Sequence, residues 1–367
     1  MTEDITRLGF VLEQSLGHVT HAQNLRRALA DHPSITPTYF DIPYHNTPGW
    51  QSRLPGVRAN WSVRASLAAW RALRAQGGRL DAALFHTQVT ALFSAGWMRR
   101  VPSVVSLDAT PVQYDALGAF YGHTPSPHAR IEALKKRMNV RAFAAARHLV
   151  AWSEWTKVSL INDYGVPADK ISVIPPGIDT DAWAFPARVQ GPGEAVSLLF
   201  VGGDFARKGG DTLLAAFQSL PPGVPARLHI VTQTLGVGDG VPGVTVHRGV
   251  APNSDALRGL FAQADLFVFP TRGDCLPLAV MEALASGLPV ITTNVGALAE
   301  AVTHGETGLV VPPNDAPALT DALAALIDNP AWRAHMGRQA RDVAQARFGA
   351  ACNYGRLVGE VARCTNR

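Results

Sequence analysis

The residues best suited to chemistry lie between 270 and 290, which read Pro-Thr-Arg-Gly-Asp-Cys-Leu-Pro-Leu-Ala-Val-Met-Glu-Ala-Leu-Ala-Ser-Gly-Leu-Pro-Val. An apolar run, Leu266–Phe269, predicts a strand, followed by a loop and a helix from about Leu278. Asp274 falls in the loop and Glu282 about one turn into the helix, with seven residues between them. Asp274 there can reach ligand hydroxyls and Glu282 a ribose. The helix N–H groups at Leu278 and Ala279 would face a phosphate. Gly287 ends the helix and Pro289 opens the next strand. The plainer alternative makes Asp274 a helix cap and Glu282 a surface charge. It explains less, because the sequence around Glu282 is apolar, and a carboxylate is rarely buried without a partner.

A second segment, Phe200-Val-Gly-Gly-Asp-Phe-Ala-Arg-Lys-Gly-Gly-Asp211, ends a strand in Gly202-Gly203 and presents Arg207 and Lys208 just before a helix. Adjacent cations there suit a diphosphate: the guanidinium binds it bidentately and the ammonium adds a point charge. A solvated basic turn is the alternative. A third segment runs from strand Leu8–Leu12 into Gly17-His18-Val19-Thr20 and a helix. Gly17 in such a turn lets an anion approach the backbone. No GxGxxG occurs in it, so a dinucleotide site is a poor reading.

The elements that must position these residues are short apolar strands alternating with helical patterns, the mark of parallel sheets covered by helices. One series holds strands Leu8–Leu12, Ala82–Phe85, Ser103–Leu107, His148–Ala151 and Ile171–Ile174, with helices at His21–Asp31, Ser62–Gln76 and His128–Ala146. A second holds Ser197–Val201, Arg227–Val231, Val244–His247, Leu266–Phe269, Pro289–Thr292 and Gly308–Val311, with helices at Gly210–Ser219, Ser254–Ala262, Ala279–Ser286 and Ala316–Asp328. Asp181–Ala195, with Pro186, Gly191, Pro192 and Gly193, reads as a linker. Ala331–Ala362 is a long helical stretch broken near Phe348–Gly349. The expected architecture is two open α/β sheets with a cleft between them. The expected domains are 1–185 and 195–345, followed by a C-terminal segment, 346–367.

Bulk composition agrees. The chain has 367 residues, 47% apolar and 17% charged, too many for one core and too apolar for disorder. Residues 1–190 carry 20 Lys and Arg against 14 Asp and Glu, while the remainder nets −2. Cys275, Cys352 and Cys364 form no metal-type spacing, which predicts free thiols in a reducing cytoplasm. The N-terminus lacks a signal pattern, and no apolar run approaches the roughly 20 residues a membrane span needs.

At these motifs the sequence resembles the retaining glycosyltransferases of family 4, which have the GT-B fold of two Rossmann-like domains. The resemblance covers nearly the whole chain. Asp274 to Glu282 is similar to the family's paired-acid segment, with Asp where Glu is commoner. Ser153, Tyr164-Gly-Val-Pro, Val173-Ile-Pro-Pro-Gly-Ile-Asp179, Gly296 to Glu300 and Gly305-Glu-Thr-Gly-Leu-Val310 also match the family pattern. The resemblance implies that Arg207 and Lys208 hold the donor diphosphate. Asp274 and the backbone of Cys275 and Leu276 would hold the donor sugar, and Glu282 the ribose. The Gly17-His18 loop would close over the donor. It also implies anomeric retention and a last helix crossing back to the first domain.

Two departures stand out. Gly202-Gly203 replaces the family's Gly-Arg, so Arg207 takes the arginine's part. Asp108 ends Val104-Val-Ser-Leu-Asp where a His is usual; it could orient the donor sugar or take the acceptor proton, although a carboxyl with a pKa near about 3.9 is a weak base. His86, ending the preceding strand, could compensate or be structural.

The expected co-substrate is a UDP- or GDP-sugar with no metal and no other cofactor, no Asp-x-Asp triplet being present. Base recognition is expected near Val250. The acceptor would be a sugar, a lipid or a small molecule, and no nucleic-acid module is recognised. Trp50, Trp61 and Trp70 among Arg53, Arg58, Arg64, Arg71 and Arg74 allow two readings: docking on anionic lipid at the inner face of the membrane, or a core-facing helix, with Val63, Leu67, Trp70 and Leu73 on its apolar face. The rival functions are an epimerase or phosphorylase on the same fold, or a sugar-binding receptor of two α/β domains.

Overall fold

The computed structural model describes residues 6–30, 32–43, 60–121, 128–186, 191 and 193–366. Residues 50–59 of the tryptophan- and arginine-rich stretch lie outside these, as do 187–190 and 192 of the expected linker. Two compact units are present. One comprises Met1–Gly118, His123–Gly177 and Ala350–Arg367, and the other Ala119–Gly122 and Ile178–Gly349.

The first unit holds a six-stranded parallel sheet in the order β2-β1-β3-β4-β5-β6. Its strands are β1 (Thr6–Gln14), β2 (Ile35–Pro43), β3 (Ala82–His86), β4 (Ser103–Leu107), β5 (His148–Ala151) and β6 (Ile171–Val173). Every residue of β3 and β4 is buried, as expected of strands covered on both faces. Strand β2 is absent from the sequence reading. Its Pro37 and Pro43 are tolerated because β2 is an edge strand, paired only with β1.

One face of this sheet packs Leu8, Phe10 and Leu12 of β1 against Leu25 of the helix Leu16–Leu29 and against Tyr354, Leu357 and Val358 of the helix Ala350–Arg363. The C-terminal helix therefore completes the core of the first unit. The helix Trp61–Ala75 covers the other face through Ala65, Ala69 and Leu73. Of the apolar face expected for it, only Leu73 is buried; Val63, Leu67 and Trp70 are half-buried, with Arg74 stacked on Trp70 at 4.8 Å.

The second unit holds a parallel sheet in the order β12-β11-β10-β7-β8-β9. Its strands are β7 (Val196–Val201), β8 (Ala226–Val231), β9 (Val244–His247), β10 (Leu266–Phe269), β11 (Val290–Thr293) and β12 (Gly308–Val311). Leu198, Phe200, Leu228, Ile230 and Val268 meet Leu213, Leu319 and Leu323 of the covering helices. In this order the chain direction across the sheet reverses between β7 and β10, and in the first sheet between β1 and β3. Ligands of open α/β sheets bind beyond the carboxyl ends of the strands at such reversals.

Candidate functional site

In the second unit the loops after β7 and β10 lie side by side. The Arg207 carbonyl accepts from the Arg272 amide at 3.0 Å and from Thr271 Oγ1 at 3.2 Å. Gly209 makes this approach possible. Its φ is +75°, and a Cβ there would stand 1.9 Å from the Pro270 carbonyl oxygen. Arg207, Lys208 and Asp274 are thereby brought together. Lys208 Nζ donates to both Asp274 oxygens at 2.7 Å. Arg207 Nη1 donates to the Gly273 carbonyl at 2.8 Å and lies 3.4 Å from Asp274 Oδ1, while its Nε donates to Asp204 at 3.2 Å. Thr271 Oγ1 is a third donor to Asp274, at 2.9 Å, its one proton shared with the Arg207 carbonyl.

Two cations thus face two carboxylates. Burial pushes the Lys208 ammonium below its usual value against the pull of Asp274. Burial also opposes the Arg207 charge, but Asp274, Tyr121 and Asp204 outweigh it and hold that guanidinium above its usual range. Arg207 Nη2 makes no hydrogen bond among the described residues, and Lys208 retains a third N–H, so both cations keep a donor for an anion. Asp274, placed in the sequence reading against the donor sugar, here has both oxygens engaged by protein donors.

Glu282 lies on the helix Leu278–Ala285, which is buried at nearly every position. Glu282 is 5% exposed; its carboxyl takes part in no hydrogen bond or ion pair among the described residues and is pushed by burial up to about 7. Pro277 gives this helix no side-chain cap, leaving N–H groups of its first turn, including those of Leu278 and Ala279, without one. Leu276 is buried beside them. The Cys275 carbonyl accepts from Ala297 at 2.9 Å, next to Gly296, where a Cβ would sit 2.1 Å from the Asp274 carbonyl. The Gly203 carbonyl accepts from Thr232 and Thr234 after β7. Val250 lies three residues beyond β9.

The strand ends of the first unit gather a second cluster. His18 Nδ1 and His86 Nε2 are 2.9 Å apart, and His18 Nε2 is 3.8 Å from Asp108 Oδ2. His86 stacks on Trp152 at 5.1 Å. Burial holds His86 well below its usual value and His21 at about 3, so both rings are neutral near pH 7. Glu13, at the end of β1, accepts from Ser15 Oγ and from Thr87 Oγ1.

One expectation changes here. Gly17 is not in a turn: β1 runs on to Gln14, Ser15 alone connects, and Gly17 is the second residue of the helix Leu16–Leu29. The helix closes early because the His18 amide bonds the Ser15 carbonyl at 2.9 Å.

Glu13, His21 and Trp152, and likewise Thr271 and Tyr121, join these clusters although no motif of the sequence marks them. Glu13, at the carboxyl end of a buried strand, carried a usable signal. Tyr121 carried none, since nothing local ties it to Arg207. Among the described residues no group of three or more His, Cys, Asp and Glu is arranged to hold a metal ion, and no helix is long and apolar enough to cross a membrane.

Family models for Glycosyltransferase Family 4 and for Glycosyl transferases group 1 match residues 17–182 and 195–329, respectively. A D-inositol 3-phosphate glycosyltransferase of Arthrobacter sp. (strain FB24) is 32% identical over 238 residues, 60% of this chain and 55% of that protein. The chain spans little more than half the length of such curated relatives, 53% for the Pseudarthrobacter chlorophenolicus enzyme of the same name. Sucrose-phosphate synthase from Thermosynechococcus elongatus shares the fold with a TM-score of 0.74 at 19% identity, covering 98% of this chain and 99% of that one. Anabaena HepE, solved in complex with UDP and glucose, aligns with a TM-score of 0.69 at 15% identity over 97% and 99%. With one model matched on each half of the chain and the GT-B architecture shared from end to end, the chain belongs to the family 4 glycosyltransferases.

Proposed function

We propose that the protein transfers a sugar from a nucleoside diphosphate donor to an acceptor hydroxyl, with retention at the anomeric carbon and without a metal ion. The observation that carries this reading is the pair of buried Arg207 and half-buried Lys208 at the reversal point of the second sheet, each with an N–H still uncommitted. As the bond from the anomeric carbon to the diphosphate breaks, negative charge grows on the departing oxygens. In this reading two adjacent cations and the uncapped amides at Leu278 and Ala279 stabilise it. Glu282 suits a ribose hydroxyl, which would satisfy its unpartnered oxygens. Asp108, with His18 beside it, is the group to which we assign the proton released by the acceptor as the new bond forms. A UDP- or GDP-sugar is the donor class, the complex of Anabaena HepE with UDP favouring uridine. The acceptor is a sugar, a lipid or a small molecule, and the reaction is placed in the cytoplasm.

Product analysis with a panel of nucleotide sugars, with EDTA present, tests this. Arg207→Ala and Lys208→Ala should each lower kcat/KM by 10²-fold or more, on the order of the loss of a charge-stabilising donor. Turnover left intact by both substitutions, or abolished by EDTA, would overturn the reading.

A further inference from the structure

The residues Gly118–Tyr121 form a single 3-10 turn between β4 and β5, yet Ala119–Gly122 belongs to the second unit. Two contacts seat it there. Arg207 Cζ lies 4.5 Å from the centroid of the Tyr121 ring. Phe120 fills the space over Gly273, where a Cβ would stand 2.8 Å from Phe120 Cβ. Gly273 is also the residue whose carbonyl receives Arg207 Nη1.

We propose that Tyr121 is a positioning residue for the donor diphosphate, acting through Arg207. This rests on the transferase reading above and deepens it. A guanidinium is planar, and the direction of each N–H is set once its plane and two of its nitrogens are held. Asp204 holds Nε and the Gly273 carbonyl holds Nη1. The Tyr121 ring lies over the cation and fixes the plane, which leaves Nη2 aimed in one direction for a phosphoryl oxygen. Without the ring, Arg207 could tilt about those two bonds toward Asp204 or Asp274, both of which carry opposite charge. The ring also displaces water from one side of the cation, which strengthens its attraction for an anion. The proposal rests on the aromatic face of the ring, which phenylalanine keeps.

Calorimetric titration of the full-length protein with UDP, GDP and ADP, and with the matching nucleosides, tests this. Tyr121→Leu should weaken binding of the nucleoside diphosphate about 5- to 10-fold, between the exposed and the fully desolvated scales of a cation–π contact. The matching nucleoside, which lacks phosphates, should bind as it does to the wild type. Tyr121→Phe should restore diphosphate affinity, and in turnover Tyr121→Leu should raise the donor KM and lower kcat. Equal loss for nucleoside and diphosphate would reduce Tyr121 to a structural part. A Phe variant as weak as Leu would shift the role to the hydroxyl, and unchanged affinity in Tyr121→Leu would leave it no role; each outcome overturns the inference alone. If the wild type binds none of the three diphosphates, the transferase reading itself falls and takes this inference with it.

Discussion

Glu282 concentrates the residue-scale argument. Glu282 is buried on a helix whose Val280, Met281, Ala283 and Leu284 are buried too, and burial pushes its carboxyl from an ordinary value of 4.5 up to about 7. The native state therefore holds an extra proton between those two values, and stability falls as pH rises through that window. The shift corresponds to a destabilisation on the order of 3 kcal/mol once the group is ionised. Glu282→Gln removes the charge but keeps the shape. Its thermal midpoint should exceed that of the wild type by a few degrees at pH 8 and match it at pH 4.5. Equal midpoints at pH 8 would show that the carboxyl is not held in an apolar setting. In the proposed function a ribose hydroxyl would supply the donor this carboxyl lacks.

At the scale of elements, the loops after β7 and β10 reach one another only because Gly209 has no side chain. An added methyl group would overlap the Pro270 carbonyl and would also need a φ of +75°, which alanine rarely adopts. Gly209→Ala should destabilise the second unit by about 2 kcal/mol or more and weaken nucleoside diphosphate binding, since Arg207 and Lys208 move with that turn. Gly203→Ala is the matched control: a Cβ there meets nothing within 4 Å, so its denaturation midpoint should stay at the wild-type value. A wild-type midpoint for Gly209→Ala would mean that the two loops do not need this close approach. Element positions were largely legible from periodicity. Strands β9, β10 and β12 fall on the expected residues, and the break in the C-terminal helical stretch falls at Gly349, between helices Pro330–Phe348 and Ala350–Arg363. Strand β2 was not legible, because prolines and an aspartate interrupt its apolar pattern and its place at the sheet edge excuses them.

At the scale of the whole molecule, the two ends of the chain share one core. Tyr354 is buried in the first unit, where its hydroxyl meets the Gly177 carbonyl and His21 Nδ1, both at 3.2 Å. Gly177 leaves room for this, since a Cβ there would stand 2.7 Å from the Tyr354 ring. Tyr354→Ala should cost about 3–5 kcal/mol, as large-to-small changes of buried aromatics do. The loss should appear in the unfolding transition of the first unit, despite the position of Tyr354 near the C-terminus. Scanning calorimetry with unit-specific tryptophan fluorescence would check this, Trp152 reporting the first unit and Trp183 the second. Loss confined to the second unit would contradict the shared core.

Periodicity and turn residues by themselves determined the two α/β series and singled out the adjacent cations Arg207 and Lys208 and the spaced acids Asp274 and Glu282. These are local signals: alternation of apolar runs, glycines at sharp turns, and charge beside a helix start. Only the tertiary structure decided that Asp274 is bonded to Lys208 and Arg207, that His18, His86 and Asp108 meet at the ends of three separate elements, and that Tyr121 covers Arg207. Such pairings depend on strand order and on the close approach of distant loops. No window of sequence encodes them, because the energy that holds them comes from burying both partners at once.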